Sequence, residues 1–221
     1  MIRKFFSYII PIKIFKKKSA RSKMIEVTWA NGELVLDTEN TNYSYGSLQR
    51  ILRYGLRNIG YENILKMDHI LLLGVAGGSV VKTLVDEIEY KEKITGVEID
   101  PEMIQIANKY FNLHQIKQLE VVIDDAFEFV LKTKDRYNLI IIDIFEDTNM
   151  PNFLFQKFFL DKICTLLKDN GYVLFNTMIL DEAHNVRNRK YISEVNSELF
   201  TTKMLPRIEV HNEIIIINKV A

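Results

Sequence analysis

The sequence predicts an α/β fold: a mostly parallel seven-stranded sheet with helices on both faces, an antiparallel last strand, and a small N-terminal β-region. Three observations predict it. From His69 onward, short apolar runs alternate with stretches of helical periodicity, the pattern of parallel strands joined by helices. The first apolar run opens into a glycine-rich turn, and the next three end on or next to carboxylates. The last two strand-like segments are separated by about seven residues. A parallel crossover needs roughly a dozen, so these two must run antiparallel.

The chain begins with a strongly basic segment. Residues 1–25 hold Arg3, Lys4, Lys13, Lys16, Lys17, Lys18, Arg21 and Lys23, and no acidic side chain. Arg3 and Lys4 precede an apolar run, as in a signal peptide, but Pro11 and Lys13 interrupt it and no small-residue cleavage site follows. A basic, partly apolar segment can touch an anionic membrane; the expectation here is a strand whose lysines face water. No stretch approaches the ~20 apolar residues of a membrane span, so no integral membrane segment is expected.

Residues 24–37 read as a β-hairpin. Ile25, Val27 and Trp29 alternate with polar residues, as do Leu34 and Leu36, and Asn31-Gly32 accepts positive φ at the turn. Residues 13–18 add a third strand. An isolated hairpin is marginal in water, so this region is expected to pack on the main domain or on a second subunit. The expected division is a β-region over residues 1–45 and a nucleoside-binding domain over 46–221. Residues 47–57 read as a helix with Leu48, Ile51, Leu52 and Leu56 on one face.

The main sheet follows. Residues 70–73 form a wholly apolar strand, the signature of a sheet buried on both faces. A helix covers 79–88, a strand 94–99, and a helix starts at Pro101, a residue suited to a first turn. Strands at 119–123 and 137–142 flank a helix at 126–132. A long helix over 153–168 ends at Asn170-Gly171. A strand at 172–175, a helix at 185–200 and strands at 201–205 and 213–220 complete the pattern.

Composition narrows the function. The 221 residues are 48% hydrophobic and 26% charged, ordinary for a globular protein, and the formal net charge is zero, so no nucleic-acid partner is expected. The single cysteine, Cys164, excludes an internal disulfide and fits a reducing, cytoplasmic setting. Cysteine-based metal sites are excluded and the four histidines lack ligand spacing.

Four strand ends carry the chemistry. Gly74-Val75-Ala76-Gly77-Gly78-Ser79 follows the first strand. Glycines there permit a tight turn and close approach of backbone N–H groups to a ligand. The run is neither G-x-G-x-x-G nor a P-loop, and taken alone it fits a binding loop and a plain connection equally. The second strand ends at Glu98-Ile99-Asp100, with Glu98 20 residues beyond Gly78. An acid there can accept from both hydroxyls of a ribose. The alternative is a solvated carboxylate, and the preceding glycine turn favours binding. The third strand ends in Asp124-Asp125-Ala126, where one carboxylate can accept from an adenine amino group and one can cap the next helix. Asp124 is expected to cap and Asp125 to bind. The fourth ends at Asp143, with Glu146 and Asp147 close behind. Acids over the crevice can orient or deprotonate an amine; loop acids on the surface are the alternative.

In order and spacing, these strand ends resemble the class I S-adenosylmethionine-dependent methyltransferase fold, a Rossmann-like arrangement, and within it the spermidine synthase family. The resemblance runs from about residue 12 to residue 176. Residues 23–37 resemble the family's N-terminal β-region. Gly96-Val97-Glu98-Ile99-Asp100 resembles its ribose-binding strand, Asp124-Asp125-Ala126 its adenine step, and residues 137–143 the strand that delivers its catalytic acid. The resemblance implies a site for S-adenosylmethionine or its decarboxylated form, without metal. Gly74, Ala76, Gly77, Gly78, Glu98, Ile99, Asp124, Asp125 and Ala126 would surround it. It also implies catalytic acids at Asp143 and Glu146, and a small-molecule acceptor near Tyr45 and Asp143. Related enzymes use the N-terminal region at a subunit interface, which implies a homodimer.

The departures fall on the acceptor half. Gly77 stands where the family carries an acid that holds the aminopropyl end of the decarboxylated donor. Tyr45-Gly46-Ser47 replaces an element ending in Glu, the second acid of the pair is Glu146, and the family's C-terminal aromatic loop has no counterpart. Without an acid at position 77, N–H groups of the turn are expected to be free to receive the carboxylate of S-adenosylmethionine. The expected function is therefore methyl transfer to a small acceptor. The alternatives are aminopropyl transfer to putrescine and a non-catalytic nucleoside-binding module.

Overall fold

Two sheets organise the chain in the computed structural model, which describes residues 2–19, 21, 24–37, 42–145 and 149–220. The smaller sheet is antiparallel, in the order β1 (Ile12–Lys18), β2 (Met24–Ala30), β3 (Glu33–Asp37) and β4 (Asn42–Ser44). The hairpin turn is where the sequence puts it, with φ of 50° at Asn31 and 79° at Gly32. Strand β4 adds a fourth strand within the expected region. The run before β1 is a short helix, α1 (Ile2–Phe6), rather than part of a strand.

Helix α2 (Gly46–Ile59) buries Leu48, Ile51, Leu52 and Leu56 as its periodicity requires, and Ile59 with them. A short α3 (Tyr61–Ile64) leads to β5 (His69–Leu73). Beyond the glycine turn, α4 (Ser79–Lys82) continues as a π-helical turn over Thr83–Glu87, where the sequence suggests one regular helix. Then come β6 (Lys93–Glu98), α5 (Pro101–Phe111), β7 (Leu119–Ile123), α6 (Ala126–Lys132) and β8 (Tyr137–Ile142).

The long helix expected over 153–168 is divided. A 3₁₀ turn at Asn152–Phe155 is separated by extended Gln156 from α7 (Lys157–Thr165). Its aromatics face two places: Phe153 meets Phe127 and Phe159, while Phe155 meets Phe175 and Tyr191. Asn170-Gly171 does not end the helix. It lies inside β9 (Leu167–Met178), which already pairs Leu167 with Tyr137. Helix α8 (Glu182–Ser193) starts three residues earlier than expected, because the Asp181 side chain caps it by accepting from the His184 N–H. Strands β10 (Phe200–Ile208) and β11 (Asn212–Lys219) finish the chain.

The larger sheet has the order β10-β11-β9-β8-β5-β6-β7. Strands β5 to β9 pair in parallel, and β11 is antiparallel to both β9 and β10. Its two faces bury separate apolar clusters, one against α2 and one against α7 and α8. A third cluster joins the two sheets: Ile25, Val27, Leu36 and Tyr45 from the N-terminal region pack on Met103, Ile106 and Phe111 of α5. The strand order reverses at β5, which opens a crevice beyond the carboxyl ends of β5 and β8.

Candidate functional site

Register brings the strand ends together. Leu73 of β5 lies beside Val97 of β6 and Ile142 of β8, and Glu98 lies beside Ile123 of β7. Each strand therefore delivers its next residues to the same edge. Gly74, at φ 91°, packs so closely on the Asp143 carbonyl oxygen that no Cβ fits there. The glycine turn and the fourth-strand acid are thus in direct contact.

Glu98 is 8% exposed, so it is not the solvated carboxylate of the alternative reading. One oxygen accepts from the N–H groups of Val75 at 3.1 Å and Ala76 at 2.9 Å, and the other from Asp100 at 3.0 Å. Burial raises its pKa, while those backbone donors pull it down. A carboxylate offers about four acceptor positions. Three are taken, leaving room for one ribose hydroxyl rather than two. Ile99, 38% exposed, offers an apolar surface beside it. Asp100 caps α5 through the Glu102 N–H at 2.9 Å and accepts from the Ser19 hydroxyl at 2.5 Å.

At the third strand end the expected cap moves from Asp124 to Asp125. Asp125 is the cap: its side chain accepts from the Phe127 N–H at 2.8 Å. Asp124 accepts from the Asp125 N–H at 2.9 Å. The reason is geometric, since the cap must be the residue immediately before the first helical one, Ala126. The cap occupies one Asp125 oxygen, and the other remains as an acceptor.

The turn itself corrects a second expectation. Its N–H groups are largely engaged: Gly74 donates to the Val97 carbonyl, Val75 and Ala76 to Glu98, Gly78 to the Val75 carbonyl, and Ser79 to the Ser44 hydroxyl. They do not form an open nest for a carboxylate. A Cβ at Gly77 would lie 2.8 Å from the Ser44 Cβ and 3.2 Å from Leu36. The N-terminal sheet thus fills the space that a side chain at position 77 would need. Tyr45, with φ 71°, is buried beneath the turn. Its ring stacks on Phe111 at 4.5 Å and its hydroxyl donates to the Gly77 carbonyl at 3.1 Å.

Asp143 keeps a little solvent-facing surface, but protein encloses its carboxyl group. Burial pushes its pKa up to about 7, against the opposing hydrogen bond from the Asn176 amide at 2.9 Å. Asn176 is fully buried, and its oxygen accepts from the Asn212 amide at 3.0 Å. That bond fixes which way the Asn176 amide points. Glu146 lies outside the described residues, and so does Asp147. Among the described residues, no group of His, Cys, Asp and Glu side chains is arranged to hold a metal ion.

The sequence reading missed Ser19, Ser44, Asn176 and Asn212. Asn176 was open to the rule that found Asp143, because it directly follows an apolar strand run. Ser19, Ser44 and Asn212 had no local signal, since they reach the site only through tertiary packing.

A doubly wound sheet, a glycine turn at its switch point and acids on successive strand ends define a Rossmann-like fold of the S-adenosylmethionine-dependent methyltransferase type. Within that class, the chain belongs to the spermine/spermidine synthase domain family, whose model matches residues 54–207. It is 29% identical over 142 residues to a polyamine aminopropyltransferase of Vibrio vulnificus, covering 63% of this chain and 47% of that protein. The chain thus spans about half the length of that curated relative. Two solved structures share the fold. A spermidine synthase in complex with the transition-state analogue AdoDATO has a TM-score of 0.70 at 20% identity, over 94% of this chain and 74% of that one. Human methyltransferase-like protein 13 in complex with SAH has a TM-score of 0.65 at 21% identity, over 80% and 83%.

Proposed function

We propose that this chain binds a sulfonium nucleoside of the S-adenosylmethionine type and transfers an alkyl group from it to an amine, with aminopropyl transfer as the best-supported reading. The names of its relatives support that reading better than the methyl transfer expected from sequence. The observation that carries it is Asp143, a buried carboxyl with a pKa near neutrality, seated against Gly74 at the switch point. Glu98, Ile99 and Asp125 fit the nucleoside: one free acceptor position for a ribose hydroxyl, an exposed apolar side chain for the base, and one carboxylate oxygen for an amino group. When bound, such a donor supplies an electrophilic carbon on a positively charged sulfur. Asp143 orients the attacking amine and takes its proton as the new C–N bond forms and the C–S bond breaks. A base that titrates near neutrality is suited to that step.

One observation favours methyl transfer as a second reading. With Gly77 covered by Ser44 and Leu36, no acid from the turn can pair with the ammonium of a decarboxylated donor. Incubation with putrescine and either donor, read by mass spectrometry, separates the two. Spermidine formation that disappears in Asp143→Asn supports aminopropyl transfer, and methylated amine from S-adenosylmethionine supports the second reading. No product from either donor, with no heat of binding in calorimetry, refutes both.

A further inference from the structure

We propose that residues 4–10 form a docking surface for an anionic lipid bilayer, on which the chain sits peripherally. In the run from Phe5 to Ile10 every side chain but Ser7 is apolar or aromatic and largely exposed: Phe5 is 71% exposed, Phe6 53%, Tyr8 63%, Ile9 74% and Ile10 65%. Single exposed apolar residues are ordinary, but a contiguous set marks an interaction surface. The segment is also fixed in place. Ser7 is 2% exposed; its carbonyl accepts from the Asn31 N–H at 2.9 Å and its hydroxyl oxygen from the Gly32 N–H at 3.0 Å. The Tyr8 ring lies directly on Gly32. Ser7 and the Tyr8 ring are therefore held on the β2–β3 turn, while Phe5, Phe6, Ile9 and Ile10 keep most of their surface open to solvent.

Charge selects the occupant. Residues 1–25 carry eight basic side chains and no acidic one. Glu26 pairs with Lys13 and Lys16, and Glu102 with Lys17, but the segment keeps a net positive charge after both are counted. Lys4 is exposed within the patch itself. Aromatic and aliphatic side chains flanked by lysines are the composition that settles at a headgroup layer of negative charge. A second copy of the chain suits the face less well, since a two-fold contact would set each basic segment against its own image. The five residues of α1 are far too few to span a bilayer, so the attachment is to its surface.

The test pellets the full chain with vesicles of phosphatidylcholine alone or of an equimolar mixture with phosphatidylglycerol. Binding to the anionic vesicles is expected to be stronger by about tenfold or more, and to weaken at high salt. The Phe5→Ser/Phe6→Ser/Ile9→Ser variant should lose it with an unchanged circular dichroism spectrum. If that variant does not fold, Ile9→Ser/Ile10→Ser replaces it. Failure of the wild type to bind anionic vesicles overturns the proposal, as does binding that survives the substitutions. Sedimentation of a dimer that the same substitutions split, without vesicle binding, would assign the face to a second copy. None of these outcomes depends on the transfer reading.

Discussion

Replacing Asp143 by Asn should make the protein more stable above neutral pH while abolishing proton transfer. Burial raises the Asp143 pKa from 3.8 to about 7. The folded protein therefore binds a proton that the unfolded chain releases between those two values. Wherever the folded state holds more protons, stability falls as pH rises. The contribution of Asp143 is complete below the unfolded value, is lost progressively up to about 7, and is absent above it. A shift of roughly three units at about 1.4 kcal/mol each makes the ionised carboxylate cost about 4 kcal/mol, an order-of-magnitude figure. Asn is nearly isosteric and does not ionise. Urea denaturation at about pH 8 should show Asp143→Asn more stable by up to that amount, with the gap closing by about pH 3. Equal stability at both pH values would refute the reasoning, because it would mean that Asp143 is not held in an environment hostile to its charge.

Three further outcomes follow from the same geometry. Asn176→Leu removes the hydrogen bond that favours ionised Asp143, and the loss of about 1.5–3 kcal/mol should raise its pKa by about one to two units, read by carbon-13 NMR of the carboxyl group. Glu98→Ala should weaken nucleoside binding by about 1.5–3 kcal/mol in calorimetry, and it also leaves the Val75 and Ala76 N–H groups without their acceptor. Gly77→Asp should destabilise by about 1–3 kcal/mol because its Cβ meets Ser44, and Ser44→Gly in the same chain should restore part of the lost melting temperature.

Much of the fold was legible in the sequence. Buried parallel strands such as Leu139 to Ile142 have no polar residue to obscure them, and β7, α6 and β8 lie where the pattern puts them. The misread elements are those decided by distant contacts. Phe153 and Phe155 fit one continuous helix by local periodicity, but they pack against different partners, and the chain breaks at Gln156 to allow it. Asn170 and Gly171 carry the local marks of a helix stop, yet pairing of Leu167 with Tyr137 starts the strand ahead of them. The positions of Glu98 and Asp143 at the sheet's edge were readable because strand ends follow from strand patterns. The shift of the cap from Asp124 to Asp125 turned on a single residue, the scale at which helix boundaries are least readable.

The N-terminal sheet is best understood as one wall of the site rather than as an attachment to it. Ser19 donates to Asp100 beside Glu98, Ser44 accepts from Ser79 at the head of α4, and Tyr45 donates to the Gly77 carbonyl. Each of these bonds ties the N-terminal region to the glycine turn or to the end of β6. Ser44 also closes the space above Gly77, so the position that bears an acid in the family could not simply regain one by a single substitution. Two changes would be needed together, one to supply the acid and one to open β4. Under the proposed function, donor preference would therefore depend on the packing of a sheet that precedes the matched domain, the tail of the donor being read by the fit between two sheets. The engaged N–H groups of the turn point the same way. With Glu98 holding Val75 and Ala76, the turn has few N–H groups left for a donor carboxylate, and under the proposed function Asp143 is left to the acceptor amine.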